Sequence, residues 1–426
     1  MSIETDEELA KLHASRQQKG SGGWWSQPKT VWAVAFATMV SFMGIGLVDP
    51  ILPAIASDMD ATEAQTELLF TSYLLITAIA MFFTSWVSGR IGAKNTLLLG
   101  LGIIVIFSLL SGFSPTVNAL VGFRAVWGLG NALFISTALS TIVSEARNPD
   151  GAIILYEAAL GVGMALGPLV GGLLGSIGWQ FPFFGTAVLM AVSFVAIVTM
   201  LKSGSVQKKH TSPLASIKAL GRPQLLSFGL VAIFYNMAFF VILAVSPFPL
   251  GFGALGIGFT FCGWGIALAV MSVFGAPALT RQFHRTTVLA GGLIALLAVM
   301  VAAIFLVENV VALVVLIVIS GFVLGIMNTV LTEASMESTD LPRPVASAAY
   351  SGVRFLGGSV APPIASALGH SFVWSASYVY GAAATVVALI LFFSLWHFVK
   401  AANKGPHVDH QEMELDEAEA LIGDAD

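Results

Sequence analysis

Charged side chains inside long apolar runs are costly in hydrocarbon, so they are read first as candidates for function. Three stand out. Asp49 sits in the run GIGLVDPILP (44–53), Arg124 in a later run, and Glu157 in ILYEAALGVG (154–163). Counted from the ends of their runs, Asp49 and Arg124 both fall in the outer third of a bilayer, where they could pair. Such a pair either locks helices together or yields to a proton or a cargo. Glu157 falls about two turns in from the opposite side. A carboxylate there can carry a proton, meet a cationic substrate, or bond a neighbouring helix. Glu67 and Glu333 lie close to the ends of apolar runs and are expected to reach water.

Small and polar residues form further patterns. Gly163, Gly167, Gly171 and Gly172 follow Glu157 at near-helical spacing, with Pro168 among them. Glycines so placed let another backbone approach closely, while an internal proline removes a donor and bends the helix. Arg90 and Lys94 flank Gly92 in the tight turn SGRIGAKN (88–95), where they could hold acids or helix C-termini, or serve only as anchors on the basic side. Tyr235, Asn236, Asn328 and Arg354 are polar within otherwise apolar segments and could line a cavity.

The elements that must position these residues follow from composition. Of 426 residues, 57% are hydrophobic and only 10% charged, and mean hydropathy is +0.88. A soluble fold has too few charges here to cover that apolar surface. Long apolar stretches fall at 30–54, 65–88, 95–113, 117–143, 151–175 and 180–201, then at 224–248, 254–279, 286–307, 310–334, 344–368 and 372–398. Each is long enough to span as a helix. The expected fold is all-α and integral to the membrane, with twelve transmembrane helices in two six-helix bundles. The expected divisions are a tail (1–28), a bundle (29–201), a linker (202–223) with a short helix near Pro213 to Leu220, a second bundle (224–400) and an acidic tail (401–426).

Charge distribution sets orientation. Of 19 Lys and Arg residues, 17 fall in tails and loops on one side, and only Arg124 and Arg354 lie within spans. The positive-inside rule then predicts a multi-pass protein of the cell membrane with both termini cytoplasmic. Arg90-x-x-x-Lys94 recurs as Arg281-x-x-x-Arg285, and Gly163 and Pro168 recur as Gly357 and Pro362, which predicts a duplicated unit. The lone Cys262 offers no disulfide or thiolate cluster, the seven histidines are scattered, and no basic face suits nucleic acid.

These motifs resemble the major facilitator superfamily, and within it the twelve-span drug:proton antiporters. Gly163-x-x-x-Gly167-Pro168-x-x-Gly171-Gly172 is similar to the antiporter signature of the fifth span. Arg124-x-x-Trp127-Gly128-x-Gly130-x-Ala132 resembles the fourth-span motif, and Asp49 to Pro53 that of the first. Arg354, Gly357 and Pro362 resemble the eleventh-span pattern of related exporters. The cytoplasmic motif is matched in Arg90, Gly92 and Lys94, but Gly89 replaces its aspartate, Ser85 its first glycine and Ala93 an arginine. The resemblance implies an exporter rather than an enzyme, driven by the inward proton gradient without a bound cofactor. Its partners would be protons, small lipophilic or amphipathic molecules and the bilayer. Asp49 and Glu157 would be proton or cation sites coupled by Arg124. The run Gly163 to Gly172 would form the moving interface, and Arg90, Gly92 and Lys94 the cytoplasmic gate. Rival readings are export of a sugar or amino acid, an uptake symporter, and a non-transport receptor or assembly protein.

Overall fold

The computed structural model describes residues 27–201 and 212–401. The tails before and after these residues, positions 202–211 of the expected linker, and the side chains of Asp49 and Glu67 lie outside the described residues. The described chain is helical. The long helices are α1 Lys29–Gly46, α2 Glu63–Ile91, α3 Ala93–Gly112, α4 Val117–Glu145, α5 Pro149–Gly175 and α6 Phe181–Met200. They continue with α7 Pro223–Val245, α8 Ala254–Val270, α9 Arg285–Leu306, α10 Val310–Glu337, α11 Arg343–Ser371 and α12 Trp374–Ser394. A short helix at Ala215–Ala219 precedes α7, near the position expected for it.

The helix limits have local causes. Thr62 and Gln65 form a reciprocal cap on α2, and the side chains of Thr116, Asn148 and Asn309 cap α4, α5 and α10. Gly92 joins α2 to α3 at φ 84°, a backbone conformation that side-chain-bearing residues rarely take. The first span is broken where the sequence suggests one run over 30–54. Regular helix stops at Gly46, residues Asp49–Ile51 form one 3₁₀ turn, and a short helix follows at Leu52–Asp58. Pro50 and Pro53 account for the break, since neither has an N–H to donate and Pro50 disfavours helical backbone at Asp49. The eighth span also changes pitch, with a π-helical turn at Met271–Gly275 before Ala276–Gln282, just ahead of Pro277.

Among the described residues, eleven helical segments are long and apolar enough to cross a bilayer, and α11 is not one of them. Ser347, Tyr350, Ser351, Arg354 and Ser359 make it polar, and all of them are buried. Helix α11 is therefore an interior helix, sheltered by the others. Helix α6 is the opposite case: Val188, Val192 and Val195 project outward, as lipid-facing residues do.

Glycine packing displays the duplication. A Cβ on Gly163 would lie 2.2 Å from Met39 O of α1, and one on Gly357 would lie 2.2 Å from Ile233 O of α7. Both glycines and both partners differ by 194 residues (357 − 163 and 233 − 39). Helices α1 and α5 thus pack as α7 and α11 do, which is the signature of two parallel repeats. The halves meet along α5 with α8 and along α2 with α11.

Close approach makes a matched prediction. Gly163→Ala should lower stability by about 1–3 kcal/mol, the range for overpacking, because its methyl meets a backbone oxygen. Gly122→Ala in α4, where a Cβ meets nothing within 4 Å, should be neutral or stabilising by up to about 1 kcal/mol. Thermal unfolding in one detergent compares them, and equal shifts would contradict the packing.

Candidate functional site

The glycine run after Glu157 does two jobs on two faces of α5. Cβ atoms on Gly163, Gly167 and Gly171 would come within 2.7 Å of Met39 O, Met43 O and Leu47 O, so this stripe faces α1 inside the first half. Pro168 packs against Gly46 of the same helix, and Gly172 is buried. The contact between halves lies on the neighbouring face. There a Cβ on Gly161 would meet Leu268, and one on Gly265 would lie 2.2 Å from Ala165 Cβ. The expected interface glycines thus seat α5 on α1, while Gly161 and Ala165 carry the crossing to α8.

Glu157 lies one turn before Gly161 on α5 and has no exposed surface. Its Oε1 accepts from Arg354 Nη1 of α11 at 3.1 Å and from Thr332 Oγ1 of α10 at 2.7 Å. Oε2 faces no donor among the described residues. The ion pair joins the two halves, since α5 belongs to the first and α10 and α11 to the second. Around it are the other polar residues singled out in the sequence. Asn236 Nδ2 donates to Arg354 O at 2.6 Å, and Tyr235 donates to Asn328 Oδ1. The structure therefore brings Glu157, Arg354, Tyr235, Asn236 and Asn328 into one cluster. Thr332 and Tyr350, whose hydroxyls are 3.5 Å apart, complete it. Both were missed in the sequence, although Thr332 is one turn after Asn328 and Tyr350 one turn before Arg354.

Beside this cluster the walls are apolar. Phe42, Leu160, Met164, Phe239, Phe240 and Phe355 share with Asn236 and Arg354 a void of about 10 Å³, near the limit for one water. Contacts close the halves on both sides of it. Ser347 Oγ of α11 donates to Ser136 O of α4 at 2.7 Å towards the basic loops. Phe70 of α2 meets Phe240 of α7 edge-on at 6.2 Å on the other side.

Arg124 forms a separate centre within the first half. It is fully buried on α4 and donates from Nη1 to Gly44 O at 3.2 Å, near the C-terminal end of α1. Its guanidinium carbon lies 4.4 Å from the Tyr73 ring centre and 4.7 Å from that of Trp127. Arg124 thus satisfies a late carbonyl of α1, as cations at helix C-termini do, and stacks on two aromatics. Its expected pairing with Asp49 lies outside the described residues, because it depends on the Asp49 side chain.

The basic turns brace helix ends. Arg90 stacks on Trp86 at 4.4 Å, and Lys94 Nζ donates to Val198 O near the end of α6 at 2.9 Å. In the second half Arg285 binds Glu337 through two nitrogens and lies 3.7 Å from Glu333. Glu333, expected near water, is 6% exposed because α9 and the Arg285 side chain cover it.

The buried pair predicts strong coupling. Glu157→Ala or Arg354→Ala alone leaves a buried unpaired charge and should cost about 3–5 kcal/mol. The double variant should cost clearly less than the two losses combined. Denaturant unfolding of the four proteins measures this, and simple additivity would contradict the pairing.

Comparisons with known proteins agree with this architecture. The profile of the Major Facilitator Superfamily matches residues 34–341 and 250–420. "Multidrug efflux protein YfmO" of Bacillus subtilis (strain 168) is 48% identical over 367 residues, covering 86% of this chain and 93% of that protein. "Methylenomycin A resistance protein" of Streptomyces coelicolor is 31% identical over 169 residues, 38% of this chain and 36% of its own length. The crystal structure of the human organic anion transporter MFSD10 (TETRAN) superposes with a TM-score of 0.69 at 13% identity, covering 85% of this chain and 98% of that one, a likeness of fold. A profile match over most of the chain, a near full-length relative and the paired six-helix repeats place this chain in the Major Facilitator Superfamily.

Proposed function

We propose that this chain is a proton-driven exporter of lipophilic or amphipathic small molecules, working by alternating access. The observation that carries the reading is the Glu157–Arg354 ion pair, buried at the junction of the two halves. A carboxylate held by a cation from the opposite half is stable as an anion only while the halves are closed around it. When they part, the buried anion loses its partner and is relieved by taking a proton. Proton binding and rocking are then one event. The apolar and aromatic walls beside the pair suit cargo with few hydrogen-bonding groups. The 48% identical multidrug efflux relative supports the same cargo class.

In this reading the moving bodies are 29–201 and 224–400, joined by the linker 202–223. The basic loops face the cytoplasm, with both termini on that side. Asp49 is a second proton or cation site, and Arg124, which ties α1 to α4, couples it to the bundle. Arg90, Gly92 and Lys94 stiffen the cytoplasmic ends of α2, α3 and α6 at the gate. The Gly163, Gly167 and Gly171 stripe makes α1 and α5 move as one piece, so that sliding falls at Gly161, Ala165 and Gly265.

Purified protein in vesicles with an imposed pH difference tests the reading. Lipophilic cations, neutral drugs, sugars and amino acids are offered in turn. Gradient-driven movement of the first two classes is expected, whereas movement of sugars or amino acids alone would make this a metabolite exporter. Glu157→Gln should lose uphill, proton-driven movement and retain downhill exchange, because the amide keeps the cavity assembled without carrying a proton. Wild-type proton coupling in Glu157→Gln would overturn the role given to this residue.

A further inference from the structure

We propose that the second half carries a binding site for an anionic glycerophospholipid on its outer face, between the eighth, ninth and tenth spans. A groove of about 280 Å³ lies there. Leu279 and Phe283 form one wall, Val288, Gly291 and Gly292 of α9 the floor, and Val323 and Ile326 of α10 the other wall. Apart from the Thr287 hydroxyl its side chains are apolar, and Phe283, Thr287 and Gly291 are exposed, so the groove opens sideways rather than towards the junction of the halves. The π-helical turn and Pro277 set the course of the segment carrying Leu279.

Depth and charge identify the occupant. At 1.5 Å per residue, Gly291 lies about 9 Å and Ala295 about 15 Å from the start of α9 at Arg285. That interval is the hydrocarbon of one leaflet, about half of a 30 Å core. The volume falls just below the usual range for drug-sized pockets and suits a length of acyl chain. At the headgroup level the chain supplies Arg281 and His284, both exposed, between the groove residues Leu279 and Thr287. Arg285, one residue further, is already held by Glu333 and Glu337. Arg281 makes no ion pair or hydrogen bond among the described residues, so its guanidinium is available to a phosphate. An acyl chain in the groove and an anionic headgroup on Arg281 satisfy both ends of the site, on the leaflet beside the basic loops.

Protein reconstituted in nanodiscs of phosphatidylglycerol and phosphatidylcholine, then extracted in mild detergent, reports the lipid that stays bound by native mass spectrometry. The wild type should retain phosphatidylglycerol in preference to phosphatidylcholine. Arg281→Gln should lower phosphatidylglycerol retention about fivefold, the effect of one cation near the surface, and Arg281→Lys should restore most of it. Gly291→Phe should lower retention of both lipids, since a Cβ there meets nothing within 4 Å and the ring would occupy the groove. Arg281 is exposed, so its variants decide the matter if Gly291→Phe fails to assemble. Equal retention of the two lipids by the wild type, or wild-type retention by Arg281→Gln or by an assembled Gly291→Phe, would overturn the site.

Discussion

A carboxylate and a guanidinium 3.1 Å apart, with no water-exposed surface on the acid, are a costly arrangement for any protein interior. Removing two charges from water costs several kcal/mol per ion, and their attraction returns that only while the geometry holds. The rest of the interior is built to hold it. Thr332 gives the acid a second donor, Asn236 fixes the backbone beside the arginine, and Tyr235 ties Asn328 to α7. Two helices of the second half, α10 and α11, thus meet one side chain of the first, and α7 braces both of them. Because the partners belong to different halves, any relative motion of the halves acts directly on the pair.

That constraint explains why α11 is polar. It carries Arg354 and Tyr350 and lies against α2, α4 and α7, so its serines find partners in protein rather than lipid: Ser347 on Ser136 O, Ser359 on its own helix. It also explains the division of labour on α5. The Gly163, Gly167 and Gly171 face welds the helix to α1, and the Gly161 face leaves a smooth crossing to α8. A helix that presents an acid to the opposite half must be rigid within its own half and free to part from the other. Arg124 contributes to the rigid side of that balance by tying α4 to the end of α1.

Much of the fold was legible in the sequence because its cause is local. Apolar runs of spanning length, basic residues in alternate loops and repeated motifs require only the chain in order. Outside the first and eighth spans the helix limits lie within a few residues of the runs that foreshadow them, whereas the break that Pro50 and Pro53 impose on the first span was not anticipated. The partners were not legible. Glu157 and Arg354 are 197 residues apart, and nothing in either neighbourhood names the other. Depth alone suggested Asp49 and Arg124 as a pair, and that pairing lies outside the described residues. The glycine run marked α5 as a close-packing helix, but its two faces differ by one or two residues in register. Glu333 looked like a span-end acid because its cover comes from α9.

The most direct measurement is infrared difference spectroscopy on the purified protein during a pH jump and on addition of a transported substrate. The carbonyl stretch of a protonated carboxyl group should appear and disappear in the wild type and be lost in Glu157→Gln. With Arg354→Ala, which removes the cation while leaving the acid in place, the band should no longer respond to the transported substrate. A wild-type band that survives unchanged in Glu157→Gln would show that another group carries the proton, and would contradict the coupling of proton binding to the parting of Glu157 from Arg354.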